Sequence, residues 1–379
     1  MEQLDLFGAM EGTYRITKPI RLIEFFAGIG AQSKALEVLG IPFESHKICE
    51  WAYNSIIAYN HIHRKDFTDY SEGKTKEELI AYLQGNISTD YNSPCDCTKK
   101  PLEWLKKAYN SCIATYNLMN IMKVKGKDLE ITETDKYEYV LTYSFPCQDL
   151  SLAGKRKGMS VSQSEGGTRS GLLWEVERIL NELSLSLSLP QILIMENVPE
   201  VVGAGNIKDF QRWELKLSQL GYVNHIKILN SKDYGIPQNR RRCFMVSILN
   251  GHFDFGGKIP LTHKLQDLLE DNVDEKFYLS EKMIKGMLAT KFNSYKLENR
   301  VQDLGGCVDT LTTSTGNRCP HLIIKNATKE GFLLADEGDG IDISTRMEHH
   351  RGTVQKGMAQ TLTTAGGKNV GVAVKDDEE

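Results

Sequence analysis

The sequence predicts an α/β fold, a mostly parallel sheet with helices on both faces, followed by a smaller β-rich domain. Short apolar segments alternate with amphipathic helical patterns over residues 1–250, as in a parallel sheet with crossover helices. A glycine turn joins the first apolar segment to the first helix, which is typical of a Rossmann-like domain. From residue 251 the segments become short, polar and β-branched, so we place a second domain at 251–379.

Composition restricts the function classes. The net charge of −4 lies in residues 251–379, while residues 1–250 are neutral and carry basic clusters at 155–157 and 240–242 that can face phosphates. Without a signal-peptide pattern or a long apolar run, we expect a cytoplasmic protein with no membrane partner. Eight scattered cysteines fit a reducing compartment, and the C-x-C pair Cys95 and Cys97 matches no usual zinc spacing, so no metal is predicted.

The first strand, Arg21–Phe26, leads into a tight turn at Ala27–Ala31 and then a helix. This arrangement brings backbone N–H groups close to a ligand, although Gly28 and Gly30 alone also fit a plain turn. Phe43–Cys49 predicts a second strand, closed by Glu50 about twenty residues after the glycines. An acidic residue at that point suits hydrogen bonding to a ribose diol, so the predicted ligand is nucleoside-like.

Residues 51–138 form a long insertion with helical patterns around 51–61, 76–83 and 102–122. Asp128 either ends a further strand near the ligand or lies in a surface loop. Tyr139–Ser144 is then a buried strand that leads directly to Pro146 and Cys147.

Ser151–Gly171 is rich in glycine and serine and is predicted to be a lid. A helix at 172–189 and a strand at 191–195 follow, and the strand delivers Glu196 at its end. Because ligands bind at the carboxyl ends of parallel strands, we expect Gly28, Glu50, Cys147 and Glu196 to share one edge of the sheet. A helix at 207–221, a strand at 222–229, a loop at 233–242 and a strand at 243–249 complete the first domain.

The second domain contains a two-copy repeat, at about 300–324 and 351–374. Asp309–Thr313 corresponds to Gln360–Thr364, and Arg300 to Arg351. Two copies are too few for a solenoid. We interpret them as paired strand-turn units, which form either an antiparallel platform or a surface that contacts an extended partner.

Three of these residues fit the activation of a pyrimidine. A thiolate from Cys147 attacks carbon 6, a carboxylic acid from Glu196 protonates the ring, and Arg240 holds an exocyclic oxygen. The attack makes carbon 5 an enamine-like nucleophile that can accept a methyl group.

At these residues the sequence resembles the DNA (cytosine-5) methyltransferases, in order over about residues 20–250. The segments that carry the resemblance are Phe26–Gly30, Glu50–Trp51, Asp128, Pro146–Gln148, Thr168–Leu172, Glu196–Val198 and Gln238-x-Arg240-x-Arg242.

The resemblance implies the S-adenosylmethionine-dependent methyltransferase fold, with double-stranded DNA as substrate, nucleoid association and a flipped-out cytosine. The implied S-adenosylmethionine residues are Phe26, Ala27, Gly28, Ile29, Gly30, Glu50, Trp51, Asp128 and Leu172. The implied contacts to cytosine or DNA are Pro146, Gln148, Ser151, Lys155, Arg156, Arg169, Asn197, Gln238 and Arg242. The lid would close behind the base, and the second domain would recognise the target in the major groove.

The end of the chain departs from the family. The usual L-T-x-x-E and G-N-x-V segments and the last helix are not found, and Gly367–Val370 is only a faint echo of them. We therefore expect either a second polypeptide that supplies these elements or a truncated form. Three alternatives to the leading function are a catalytically incomplete DNA- or cofactor-binding subunit, a tRNA cytosine-5 methyltransferase and, least favoured, a dinucleotide oxidoreductase.

Overall fold

A computed structural model of the 379-residue chain describes residues 13–146, 169–269, 307–309, 340–342, 353–355 and 370–372. The chain divides into two compact units, one of residues 1–229 with 241–257 and one of residues 230–240 with 258–379. The boundary at residue 250 between a catalytic and a target-recognition domain stays a prediction.

A six-stranded sheet organises the first unit, in the spatial order β2-β1-β3-β4-β7-β5. The strands β1 to β4 are mutually parallel where they pair, and β7 runs antiparallel to β4. The predicted mostly parallel α/β fold is thereby confirmed. The strands are β1 Ile20–Phe25, β2 Phe43–Cys49, β3 Glu138–Tyr143, β4 Ile192–Asn197, β5 Tyr222–Asn230, β6 Gln238–Asn239 and β7 Arg241–Leu249; the helices are α1 Ala31–Val38, α2 Tyr53–Tyr59, α3 Lys76–Leu83, α4 Leu102–Ala114, α5 Leu173–Leu185 and α6 Ile207–Gln219.

The sheet is buried on both faces, because alternate strand residues enter different apolar clusters. Phe25, Leu141 and Met195 belong to the cluster that includes the apolar faces of α5 and α6. Leu22 and Val140, on the opposite face, pack in a second cluster with side chains from α1 and from residues 253–255. Continuous apolar strands such as residues 139–143 are explained by this two-sided burial.

The insertion has a core of its own, formed by α2, α3 and α4. Helix α4 ends at Ala114, eight residues before the predicted end. Tyr116 adopts a left-handed conformation (φ 50°), and the Leu118 N–H then donates to the Ile48 carbonyl at 2.8 Å. The chain therefore leaves the helix to lie beside β2, which periodicity alone does not reveal.

The second unit contains two small groups of strands. A three-stranded antiparallel sheet is built from β9 Gly340–Asp342, β10 Thr353–Gln355 and β11 Val370–Val372, and β6 pairs with β8 Val308–Asp309. Most of the predicted repeat, including Thr310–Thr313 and Thr361–Thr364, lies outside the described residues.

In the described part of the chain, no helix has both the length and the apolar character needed to cross a membrane.

The turn between β1 and α1 requires glycine at two positions for different reasons. Gly28 (φ 56°) and Gly30 (φ 83°) both adopt the left-handed region. A Cβ on Gly28 would meet no atom within 4 Å, whereas a Cβ on Gly30 would lie 2.7 Å from the ring of Tyr59 and would also overlap His63. The turn therefore packs directly against Tyr59 and His63 of the insertion at Gly30.

Substitution of these two glycines separates backbone strain from overlap. We expect Gly28→Ala to lower the free energy of unfolding by about 1 kcal/mol, the cost of a left-handed alanine. Gly30→Ala adds overlap with Tyr59 and is expected to cost about 1–3 kcal/mol more. Denaturant unfolding measures both, and equal losses would contradict the close approach at Gly30.

Candidate active site

Polar and small residues from four strands meet at one edge of the sheet. Gly28 follows β1, Glu50 follows β2, Pro146 follows β3, and Glu196 lies near the end of β4. Because these strands are parallel, their carboxyl ends share this edge. Strand β7 runs the other way, so its first residues, including Arg242, begin at the same edge.

Glu50 joins the glycine turn to the start of the insertion. Its Oε2 accepts a hydrogen bond from the Gly28 N–H at 2.8 Å, and its Oε1 accepts one from the Ala52 N–H at 2.7 Å. The Asn117 side chain bonds both the N–H and the carbonyl of Glu50. A carboxylate accepts up to about four hydrogen bonds, so the Glu50 carboxylate can still accept a hydrogen bond from a hydroxyl group of a ligand.

Burial raises the pKa of Glu50 from 4.5 to about 6, while the backbone N–H groups of Ala52, Gly28 and Trp51 act in the opposite direction. The glutamate is only 8% exposed, so water contributes little to the stability of its charge. A buried carboxylate with remaining acceptor capacity fits a ligand that brings its own hydrogen-bond donors.

A cleft that is open to solvent begins beside Glu50. Its lining is mainly apolar and aromatic, with Glu50 as the charged residue among those that line it. The contact of Glu50 with a ribose stays a prediction. The lining residues are Phe26, Cys49, Glu50, Trp51, Tyr91, Met119, Asn120, Ile121, Met122, Pro146 and Leu172.

The cleft contains five of the residues that the sequence analysis assigned. Phe26, Glu50, Trp51 and Leu172 were predicted to contact the cofactor, whereas Pro146 was predicted to contact the substrate. The lining residues that sequence reasoning missed are Cys49, Tyr91 and Met119–Met122. They come from β2 and the insertion, whose return to the site depends on tertiary pairing.

The other predicted cofactor residues lie around the cleft or away from it. Ala27 is buried, Ile29 is 56% exposed, and Gly30 packs against Tyr59. The Asp128 carboxylate accepts a hydrogen bond from the Lys125 N–H within its own turn, and Asp128 does not line the cleft. A contact between Asp128 and the cofactor stays a prediction.

Two side chains hold the backbone that precedes Cys147. The Asn197 Nδ2 donates to the Phe145 carbonyl at 3.1 Å, and the Ser170 Oγ donates to the Pro146 carbonyl at 2.8 Å. Both side chains are buried, with Asn197 2% exposed and Ser170 fully covered. Asn197 was predicted to contact DNA, but its Oδ1 also accepts a bond from the Val198 N–H, so its amide is engaged inside the protein.

Ser170 was not singled out from the sequence, although it lies between the predicted residues Arg169 and Leu172. The sequence signal that could have identified Ser170 is its position as a short polar residue within Thr168–Leu172, a segment that carries the family resemblance. Arg169 begins the 3₁₀ turn Arg169–Leu172.

Glu196 forms an ion pair with Arg242, with Oε1 2.9 Å from Nε. Both side chains are half-buried, which strengthens such a pair relative to an exposed one. The pairing follows from the antiparallel register, which sets Asn197 opposite Cys243 and so brings Arg242 to the end of β4. Arg242 was predicted to contact DNA, and the sequence analysis gave the base-holding role to Arg240 instead.

Arg240 and Gln238 belong to the second unit. The Arg240 N–H donates to the Asn230 Oδ1 at 3.0 Å and its carbonyl accepts from the Ser231 N–H at 3.1 Å, while Gln238 pairs with Val308. Their contacts to base and DNA stay predictions.

Cys147, Gln148, Ser151, Lys155 and Arg156 lie outside the described residues. Four other cysteines are poor candidates for the nucleophile, because burial raises their pKa values and disfavours the thiolate. The pKa is raised to about 11 at Cys243, to about 12 at Cys97 and Cys112, and well above 9 at Cys49.

Comparison with known proteins identifies the family. The family model described as C-5 cytosine-specific DNA methylase matches residues 99–362. The orphan methyltransferase M.SssI of Spiroplasma monobiae is 37% identical over 346 residues, which are 85% of this chain and 86% of that protein. The type II methyltransferase M2.ScrFI of Lactococcus lactis subsp. cremoris is 37% identical over 271 residues, 70% of this chain and 71% of that protein.

Among solved structures, the Dnmt2 methyltransferase of S. pombe matches with a TM-score of 0.44 and 18% identity, covering 71% of this chain and 65% of that chain. The family assignment depends on the sequence matches and agrees with the parallel sheet and the cleft at its edge. The chain belongs to the C-5 cytosine-specific DNA methylase family, whose methyl donor is S-adenosylmethionine.

Proposed function

We propose that the chain methylates carbon 5 of a flipped-out cytosine in double-stranded DNA through a covalent bond between Cys147 and carbon 6. The observation that carries the proposal is the convergence at one sheet edge of the Phe145–Pro146 backbone, the Glu196–Arg242 pair and the cleft beside Glu50. Cys147 follows Pro146 directly, so whatever fixes Pro146 limits where the thiol can lie.

The backbone before Cys147 is fixed at two consecutive carbonyl groups. Ser170 and Asn197 hold the carbonyls of Pro146 and Phe145, and both donors come from other segments of the chain. A nucleophile must be aligned with its target carbon for attack, and small misplacements reduce the rate strongly. Ser170 and Asn197 are therefore positioning residues for Cys147.

The proposed reaction balances on the substrate as follows. The Cys147 thiolate forms a bond to carbon 6 while the Glu196 carboxyl protonates ring nitrogen 3, which makes carbon 5 nucleophilic. S-adenosylmethionine supplies an electrophilic methyl group. The methyl transfer leaves S-adenosylhomocysteine. A solvent base then takes the carbon 5 proton, carbon 6 releases the Cys147 thiolate, and nitrogen 3 returns its proton to Glu196, which restores the aromatic ring.

Arg242 is the better candidate for the arginine that acts together with Glu196. Its guanidinium already fixes one carboxyl oxygen at 2.9 Å and has further N–H donors available for an exocyclic oxygen of the base. Carbon 6 is inaccessible within a stacked duplex, so the reaction requires that cytosine leave the helix.

Trapping on DNA that contains 5-fluorocytosine tests the covalent step. We expect a stable adduct with duplex DNA only when S-adenosylmethionine is present, because fluorine at carbon 5 cannot leave as a proton. Cys147→Ser should form no adduct and should still bind cofactor. Failure of the parent protein to be trapped would contradict the covalent mechanism, and trapping on tRNA but not on DNA would contradict the DNA substrate.

Three adjacent arginines allow a matched test of the ion pair. We expect Arg242→Ala to lower kcat about 10²–10³-fold, because it removes a preorganised charge partner of Glu196. Arg241→Ala is the control and should retain activity, since Arg241 is exposed. A large loss in Arg240→Ala with none in Arg242→Ala would return the base-holding role to Arg240.

The pKa of Glu50 predicts how cofactor affinity depends on pH. Because the pKa of Glu50 is raised, ionisation of Glu50 destabilises the folded chain as pH rises through about 6. A ribose diol donates its hydrogen bonds best to the ionised carboxylate. Affinity for S-adenosylhomocysteine should therefore rise with pH through about 6 and then level off, as measured by calorimetry from about pH 5 to about pH 8.

Glu50→Gln should bind more weakly and lose this pH dependence. Glu44→Gln, which alters an exposed carboxylate on β2, the strand that precedes Glu50, should retain the affinity and its pH dependence. An unchanged profile in Glu50→Gln would exclude Glu50 as the titrating group. The calorimetry uses the chain alone. Tight binding there, together with full turnover of the chain alone in a methylation assay, would contradict the expectation that a second polypeptide is needed.

A further inference from the structure

Tyr91 is a large aromatic residue that the insertion places in the wall of the cleft. Its side chain is 51% exposed, although most large apolar and aromatic side chains of the insertion core are buried. A half-exposed aromatic ring in a concave, apolar cleft has surface available for a ligand.

The backbone of Tyr91 is strained. Its φ is 62°, in the left-handed region that a bulky residue rarely adopts. Such a conformation persists only where the surrounding structure imposes it, and strain of this kind occurs preferentially at ligand sites.

Asp90 imposes this conformation. Its carboxylate accepts hydrogen bonds from the N–H groups of Asn92 and Ser93 at 2.8 and 2.9 Å and from the hydroxyls of Ser88 and Ser93 at 3.0 Å. These donors lower the pKa of Asp90 to about 2, with the Ser93 N–H contributing most. The carboxylate therefore stays ionised at neutral pH and closes the turn around Tyr91.

The same loop is fixed to the segment between β2 and α2. The Ser88 N–H donates to the Trp51 carbonyl at 2.7 Å, and the Tyr53 N–H donates to the Ser88 carbonyl at 2.8 Å. The Tyr91 hydroxyl lies 3.5 Å from the Ser55 hydroxyl at the start of α2. The loop that carries Tyr91 is thus held at its backbone, and its position is tied to the segment that carries Trp51.

From this geometry we propose that Tyr91 is a cofactor-binding residue, which contacts the adenosine part of S-adenosylmethionine as an aromatic wall of the cleft. The inference rests on the proposed function, because it takes the cleft to be the cofactor site. It assigns to the insertion, beyond its own core, a direct role in cofactor affinity.

Glycine substitution distinguishes binding from structure. Tyr91→Gly removes the ring and relieves the left-handed strain, so the midpoint of denaturant unfolding should be unchanged or higher. Affinity for S-adenosylhomocysteine, measured by calorimetry on the full chain, should fall about tenfold or more. Tyr91→Phe, which keeps the ring, should lose less than threefold, or about 0.65 kcal/mol.

Tyr116→Gly is the matched control. Tyr116 lies in the same insertion, is left-handed (φ 50°) and 57% exposed, and does not line the cleft. Its replacement should leave cofactor affinity unchanged.

The remaining outcomes distinguish failure of the proposed function from failure of the inference about Tyr91. If the parent chain binds no S-adenosylhomocysteine, the proposed function fails. If the parent binds and Tyr91→Gly binds equally well, only this inference is overturned. It is also overturned if Tyr91→Gly loses affinity only together with stability, or if the KM for duplex DNA rises while cofactor affinity is unchanged.

Discussion

The hydrogen bonds of Glu50 are the interaction on which the candidate site depends. One carboxylate accepts from Gly28 after β1 and from Ala52 at the start of α2, so a single side chain sets the spacing between the glycine turn and the insertion. Its burial raises its pKa, which means that the fold accepts an energetic cost at neutral pH. A ligand that donates hydrogen bonds to the carboxylate would offset this cost.

A second constraint acts at the end of β4. Asn197 and Ser170 hold consecutive carbonyl groups before Cys147, and Asn197 follows directly on Glu196. The residue proposed to position the backbone before Cys147 and the residue proposed to protonate the base are therefore neighbours on β4. Antiparallel pairing with β7 adds Arg242 to this group. A change in the register of β4 would disturb all of these contacts together.

The insertion is part of the site as well as an addition to the sheet. It packs on the glycine turn through Tyr59 and His63, which leave no room for a side chain at Gly30. Within the insertion, Ser88 bonds to the Trp51 carbonyl just after β2, and the insertion contributes Tyr91 and Met119–Met122 to the cleft. The cleft is thereby formed jointly by the sheet edge and the helical insertion.

The sequence by itself determined the parallel sheet and the order of its polar strand ends, because short apolar segments and glycine turns are local signals. The strand Phe43–Cys49 was predicted to the residue, and a helix was predicted around residues 76–83, where α3 lies. The pairing of Glu196 with Arg242 was decided only by the tertiary structure, since it follows from the β4–β7 register between distant segments. The inward-facing amide of Asn197 and the arrival of Tyr91 at the cleft also depend on contacts between segments far apart in the chain, which a motif does not encode.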